Sequence, residues 1–113
     1  MNGIRGAIAT VENTENDILK CTKELFNTIV ENNNLDISKI VSVIFTVTND
    51  LDAAFPAKAL RELGYHQLSA IDTKAPNVVN DLKGCIRVLV TYKDEIEVTH
   101  TYLGEAKNLR PDR

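Results

Sequence analysis

The chain has little histidine, little cysteine and no long apolar run, and each shortage closes off a class of function. Its two cysteines, Cys21 and Cys85, are too few for a disulfide framework. Cys21 falls in a helical stretch and Cys85 heads a strand, so both are expected to be reduced and packed. The two histidines, His66 and His100, lack metal-ligand spacing, and no metal is expected. No apolar run approaches the roughly 20 residues of a membrane span, so no membrane partner is expected. Basic runs are absent too, and with a net charge of −3 there is no footprint for nucleic acid. The opening Met-Asn-Gly-Ile-Arg-Gly lacks the basic and apolar regions of a secretory signal, which makes a cytoplasmic location the default. No repeat, low-complexity segment or linker divides residues 1–113, and a single domain is expected.

What remains is ordinary globular material: 43% hydrophobic and 26% charged residues, enough for one modest core. Ile4–Thr10 reads as a short strand. Thr14-Glu15-Asn16-Asp17 has the form of a capping box, and Ile18, Thr22, Leu25, Phe26, Ile29 and Val30 follow at helical spacing until Asn32–Asn34. Ile40–Thr48 is rich in β-branched residues and reads as a buried strand. Pro56 opens a short helix that stops at Gly64, with Lys58 and Arg61 on one face. Gln67–Ile71 is a further strand, Lys74–Asn77 a loop, and Cys85–Tyr92 with Glu97–Leu103 an expected hairpin around Lys93-Asp94-Glu95. The order predicts an α+β fold, a mixed or antiparallel sheet packed with one long and one short helix.

The arginines carry the functional signal. Of five in the chain, Arg5 lies in an apolar strand start, Arg61 on the short helix, Arg87 inside Cys85-Ile86-Arg87-Val88-Leu89-Val90, and Arg110 near the end. Guanidinium stays charged when desolvated, and its planar fork matches paired carboxylate or phosphate oxygens. Arginines on apolar elements of an acidic chain point to a pocket for a small polyanion. Blander roles exist for each: Arg87 snorkelling to a sheet edge or pairing with an acid, and Lys58 and Arg61 forming a solvated helix face.

Four segments, Gly3-Ile4-Arg5-Gly6-Ala7, Phe55-Pro56-Ala57-Lys58-Ala59-Leu60-Arg61-Glu62-Leu63-Gly64, Cys85-Ile86-Arg87-Val88 and Leu109-Arg110-Pro111-Asp112, resemble the monofunctional chorismate mutases of the Bacillus type. Val43–Leu51 is similar as well, and the likeness runs in order over almost the whole chain. The resemblance implies a homotrimer with a barrel-like core and sites in clefts between subunits. It implies rearrangement of chorismate to prephenate, on the route to phenylalanine and tyrosine, without metal, cofactor or covalent intermediate. On this resemblance Arg87 donates to the breaking ether oxygen and a substrate carboxylate, Arg5 binds a carboxylate, and Tyr102 lines the pocket. Phe55, Ala57, Lys58 and Arg61 form one wall, and Leu109 and Arg110 belong to a tail that closes over it.

The chain departs from the family pattern in the loop before Cys85. Counting back from Arg87 without a gap, Asp72 takes the family's cysteine position, and Ala75 the position of a glutamate that binds the substrate hydroxyl. Asp72 is therefore the expected replacement acid, ionised among surrounding arginines. Only Asp72 and Asp81 lie between Glu62 and Arg87 as candidates. Ala75 also leaves open an alternative, a catalytically degenerate paralogue that binds an aromatic-pathway anion for regulation.

Overall fold

The computed structural model describes residues 1–109, and in it the β-branched runs become strands around one long helix. The elements are β1 (Asn2–Ala9), α1 (Glu15–Asn33), β2 (Ile40–Val47), α2 (Lys58–Glu62), β3 (Ala70–Lys74), β4 (Ile86–Tyr92) and β5 (Thr101–Gly104). They form the expected α+β fold, with one sheet in the order β3-β2-β4-β1-β5. β4 runs antiparallel to β1 and β2, while β3 and β5 run parallel to β2 and β1, so the sheet is mixed. Alternation sends Ile4 and Ile8, Val43 and Phe45, and Ile86, Val88 and Val90 to one buried face. Helix α1 lays Ile18, Leu25, Phe26 and Ile29 on that face, and each such side chain contributes about 1.5–3 kcal/mol.

The ends of α1 are fixed by short polar side chains. Thr14 Oγ1 accepts from the Asp17 N–H at 3.1 Å, and the Asp17 carboxylate accepts from the Glu12 N–H at 2.7 Å. Asn34 stops the helix in the left-handed conformation, φ 50°, where an asparagine is tolerated. Thr22 is buried on the core face without loss, since its hydroxyl donates to Ile18 O at 2.6 Å. Neither Cys21 nor Cys85 forms a disulfide. Burial, helped by the nearby Asp17 and Glu24 carboxylates, pushes the Cys21 thiol up to about 11.

Two sequence expectations are corrected. The third strand is Ala70–Lys74, displaced toward the C-terminus from Gln67–Ile71, because residues 65–69 follow α2 as a turn before pairing with β2 begins. The expected hairpin of Cys85–Tyr92 with Glu97–Leu103 does not form. Both edges of β4 are occupied by β1 and β2, so β5 crosses to the free edge of β1 and runs parallel to it. Asn33 directs this crossing: its amide donates to Thr99 O at 2.9 Å and accepts from Thr99 N at 2.7 Å. Asn32 adds a bond to Thr101 Oγ1 at 3.2 Å. The asparagines that end α1 thus also dock β5.

Gly104 closes β5 with φ +60°, and a Cβ there collides with the Ala9 carbonyl oxygen of the adjoining strand. Gly64, after α2, has φ +91° but open space around it. Gly104→Ala should therefore destabilise by about 3 kcal/mol or more, strain plus clash, and Gly64→Ala by only about 1 kcal/mol of strain. Urea denaturation of the two variants checks this; equal losses would mean that β5 is not seated against β1 as described.

Candidate active site

The face of the sheet turned away from α1 carries the arginines. Register places Thr46 of β2, Arg87 of β4, Ala7 of β1 and Tyr102 of β5 in one row across four strands. Arg5 lies two residues before Ala7 and so shares this face. Ala7 is buried, and its single methyl between Arg87 and Tyr102 leaves room above the sheet. The result is a cleft of about 370 Å³ lined by Arg5, Ala7, Thr46, Ala75, Arg87 and Tyr102, among others. The Arg5 N–H donates to His100 Nδ1 at 3.0 Å, which fixes the strand beneath that guanidinium. Ala75 is held at the rim by its N–H to Val47 O at 2.8 Å.

Among the described residues, the cleft lining contains two arginines and no carboxylate. Arg87 meets an acid at its flank, where Nη2 approaches Asp81 Oδ2 at 3.2 Å from the loop between β3 and β4. Thr46 Oγ1 is buried with no hydrogen-bond partner. Sequence reading singled out neither Asp81 nor Thr46 as a site residue. Asp81 was visible only as one of two acids before Arg87, and Thr46 only as a strand residue.

A second group gathers around α2, away from this cleft. Phe55 precedes the helix with 71% of its surface exposed. Ala57 is buried, Lys58 is half-buried and reaches Glu15 at 3.3 Å, and Arg61 is exposed. Asp72 belongs here and not with Arg87. Its register partner is Phe45, so alternation turns it to the helix-covered face, and Oδ1 accepts from the Ala57 N–H at 2.9 Å. The expectation of a carboxylate kept acidic by surrounding arginines is also corrected. Burial pushes Asp72 above its ordinary range, against the smaller pull of the Ala57 N–H and Arg61. Leu109 closes the short helical turn Glu105–Leu109, and Arg110 lies outside the described residues. Among the described residues no three of His, Cys, Asp or Glu are grouped to share a metal ion.

One chain thus presents two separate candidate half-sites. Arg5, Arg87 and Tyr102 come together on the open sheet face, whereas Phe55, Ala57, Lys58, Arg61 and Asp72 surround the short helix. The cleft can hold a dianion against two guanidinium forks.

Comparison with known proteins gives the same pattern of residues a context. The sequence matches the family model for chorismate mutase type I over residues 1–113. It is 38% identical over 116 aligned residues to the chorismate mutase AroH of Bacillus subtilis, covering 99% of this chain and 91% of that protein. It is 40% identical over 116 residues to the chorismate mutase AroH of Thermus thermophilus, covering 99% and 95%. Among solved structures, a chorismate mutase from Clostridium thermocellum superposes with a TM-score of 0.92 at 37% identity, over 96% of this chain and 99% of that one.

The raised Asp72 carboxyl makes a pH prediction. Its folded form binds the proton more tightly than the unfolded chain, whose ordinary value is 3.8. The associated stability is fully present below that value and is lost as pH rises through the higher folded value. Asp72→Asn keeps an acceptor for the Ala57 N–H but cannot titrate. The stability of the parent relative to Asp72→Asn should therefore grow as pH falls from about 7 to about 4. Denaturation curves of both proteins across this range provide the measurement, and a relative stability that shrinks on acidification would contradict the assignment.

Proposed function

The chain belongs to the type I chorismate mutases and catalyses rearrangement of chorismate to prephenate, and we propose that it does so as a trimer, in clefts shared between neighbouring copies. One observation carries the shared cleft: the arginine cleft and the Phe55–Arg61 group lie apart in a single chain, and both are open to solvent. A neighbouring copy that sets its α2 group over the arginine cleft completes a site neither could form alone. Exposed apolar side chains support such packing, with Ile71 61% and Leu89 39% exposed on the open sheet face beside half-buried Ile44.

The reaction is a concerted shift within one dianionic molecule. The protein's part is to hold the reactive conformer and to stabilise charge that grows on the ether oxygen as its bond breaks. Arg87, half-buried in the row beside Ala7, donates to that oxygen and to one carboxylate. Arg5, more exposed at the cleft edge, binds a carboxylate, and Tyr102 packs against the ring. From the neighbouring copy, Phe55 and Ala57 supply a wall while Lys58 and Arg61 add positive charge. Asp72, through its bond to Ala57, holds the turn that presents this wall. That positioning part replaces the direct hydroxyl contact expected of it from the sequence. Ala75, which left a non-catalytic binder open, widens the cleft but leaves its arginine pair intact.

Loss of the ultraviolet absorbance of chorismate measures turnover. Arg87→Ala should lower kcat by about 10²–10³, with little recovery in Arg87→Lys because the fork is lost, and Arg5→Ala should mainly raise KM. Wild-type kcat in Arg87→Ala would end that assignment. The shared cleft is tested by complementation. Refolding Arg87→Ala together with a Lys58→Ala/Arg61→Ala variant should produce mixed trimers in which about one site in four has both halves intact. Activity should then exceed that of either variant alone. No recovery, or a monomer by sedimentation equilibrium, would rule out a site built from two copies.

A further inference from the structure

Beside Arg87 stands a carboxylate that the cleft itself lacks, and we propose that this residue, Asp81, is the positioning residue that orients Arg87 for the rearrangement. The inference rests on the part given to Arg87 above. Asp81 lies six positions before Arg87, and its Oδ2 meets Arg87 Nη2 at 3.2 Å. The other carboxylate oxygen, Oδ1, accepts from the Leu82 N–H at 2.8 Å, so the acid is braced by its own loop before it touches the arginine. The Asp81 side chain is the less exposed partner, 19% against 33% for Arg87.

The loop that carries Asp81 is anchored on both sides. The Asp81 N–H donates to Val78 O at 3.2 Å, and the Gly84 N–H donates to Asp50 Oδ2 at 2.9 Å. Gly84 O in turn accepts from the Val11 N–H at 2.8 Å. A guanidinium on a long side chain has several rotamers to lose, and a fixed acceptor on one terminal nitrogen removes that freedom before substrate arrives. A single contact at Nη2 occupies one of the five N–H donors of the guanidinium and leaves the others for a ligand in the cleft. The position that carries a glutamate in the resembling family is alanine here, and among the described residues the lining holds no acid. Two arginines sharing a small cleft repel one another when it is empty, and Asp81 offsets that repulsion from the flank without occupying the cleft.

This arrangement has a kinetic signature. The carboxylate fixes the fork, which helps the transition state, but it also subtracts positive charge from a cleft that binds a dianion. Asp81→Ala should therefore lower kcat about tenfold or more while KM stays level or falls. Asp81→Asn, whose amide oxygen still accepts from Nη2, should recover most of kcat and keep the lower KM. The double variant Asp81→Ala/Arg87→Ala should be no slower than Arg87→Ala, because the proposed effect of Asp81 on kcat runs through that arginine. Unchanged kcat in Asp81→Ala would overturn the proposal, as would a double variant slower than Arg87→Ala, which marks general damage to the fold. Wild-type kcat in Arg87→Ala would instead remove the reading of Arg87 on which the proposal stands.

Discussion

Period-two alternation along β4 is the constraint on which the rest of this protein depends. Ile86, Val88, Val90 and Tyr92 are all buried on the helix side, and Arg87 is forced to the opposite face between two of them. A slip of one residue would drive the guanidinium under α1 and expose four core side chains, so hydrophobic burial and the placement of Arg87 are a single choice. The same logic applied through the neighbouring strands brings Thr46, Ala7 and Tyr102 into the row with Arg87. The candidate site is held here by strands, and its floor is an alanine and a threonine and not a loop.

Charge on the open face is arranged with few groups. Among the described residues, Arg5 and Arg87 face a cleft without acids, and Asp81 stands to one side of Arg87 on a braced loop. For a reaction with no covalent step, field and shape are what a protein can supply, and both are strongest when the donors are fixed before substrate binds. Asp72 does a different job with the same functional group. Half-buried under the start of α2, it accepts from the backbone of Ala57, and desolvation raises it above its ordinary value.

Helix α1 links the two regions. Its core face seals the sheet, and Lys23 meets Glu62 of α2 at 2.7 Å, although an ion pair this exposed contributes little. At its far end Asn32 and Asn33 hold the segment that becomes β5, and β5 carries Tyr102. A polar run that reads as a helix terminator therefore also selects which strand edge is extended, since the amide of Asn33 makes paired bonds to the backbone of Thr99.

The sequence by itself determined the mixed α+β character, the extent of α1 from its capping box to its asparagines, and the importance of the arginines. These follow from local rules: apolar period, capping chemistry, and the cost of placing an always-charged group in an apolar run. The motif blocks around Arg5, Pro56, Arg87 and Arg110 also named the family. Tertiary structure decided the partner of β5, because pairing depends on which edges are already filled, and that is a property of the assembled sheet. It likewise decided which acid serves which base. Asp72 and Asp81 lie nine positions apart in the sequence, and counting back from Arg87 favours the first. Strand register turns the first toward Ala57, while a loop braced on Leu82 delivers the second to Arg87.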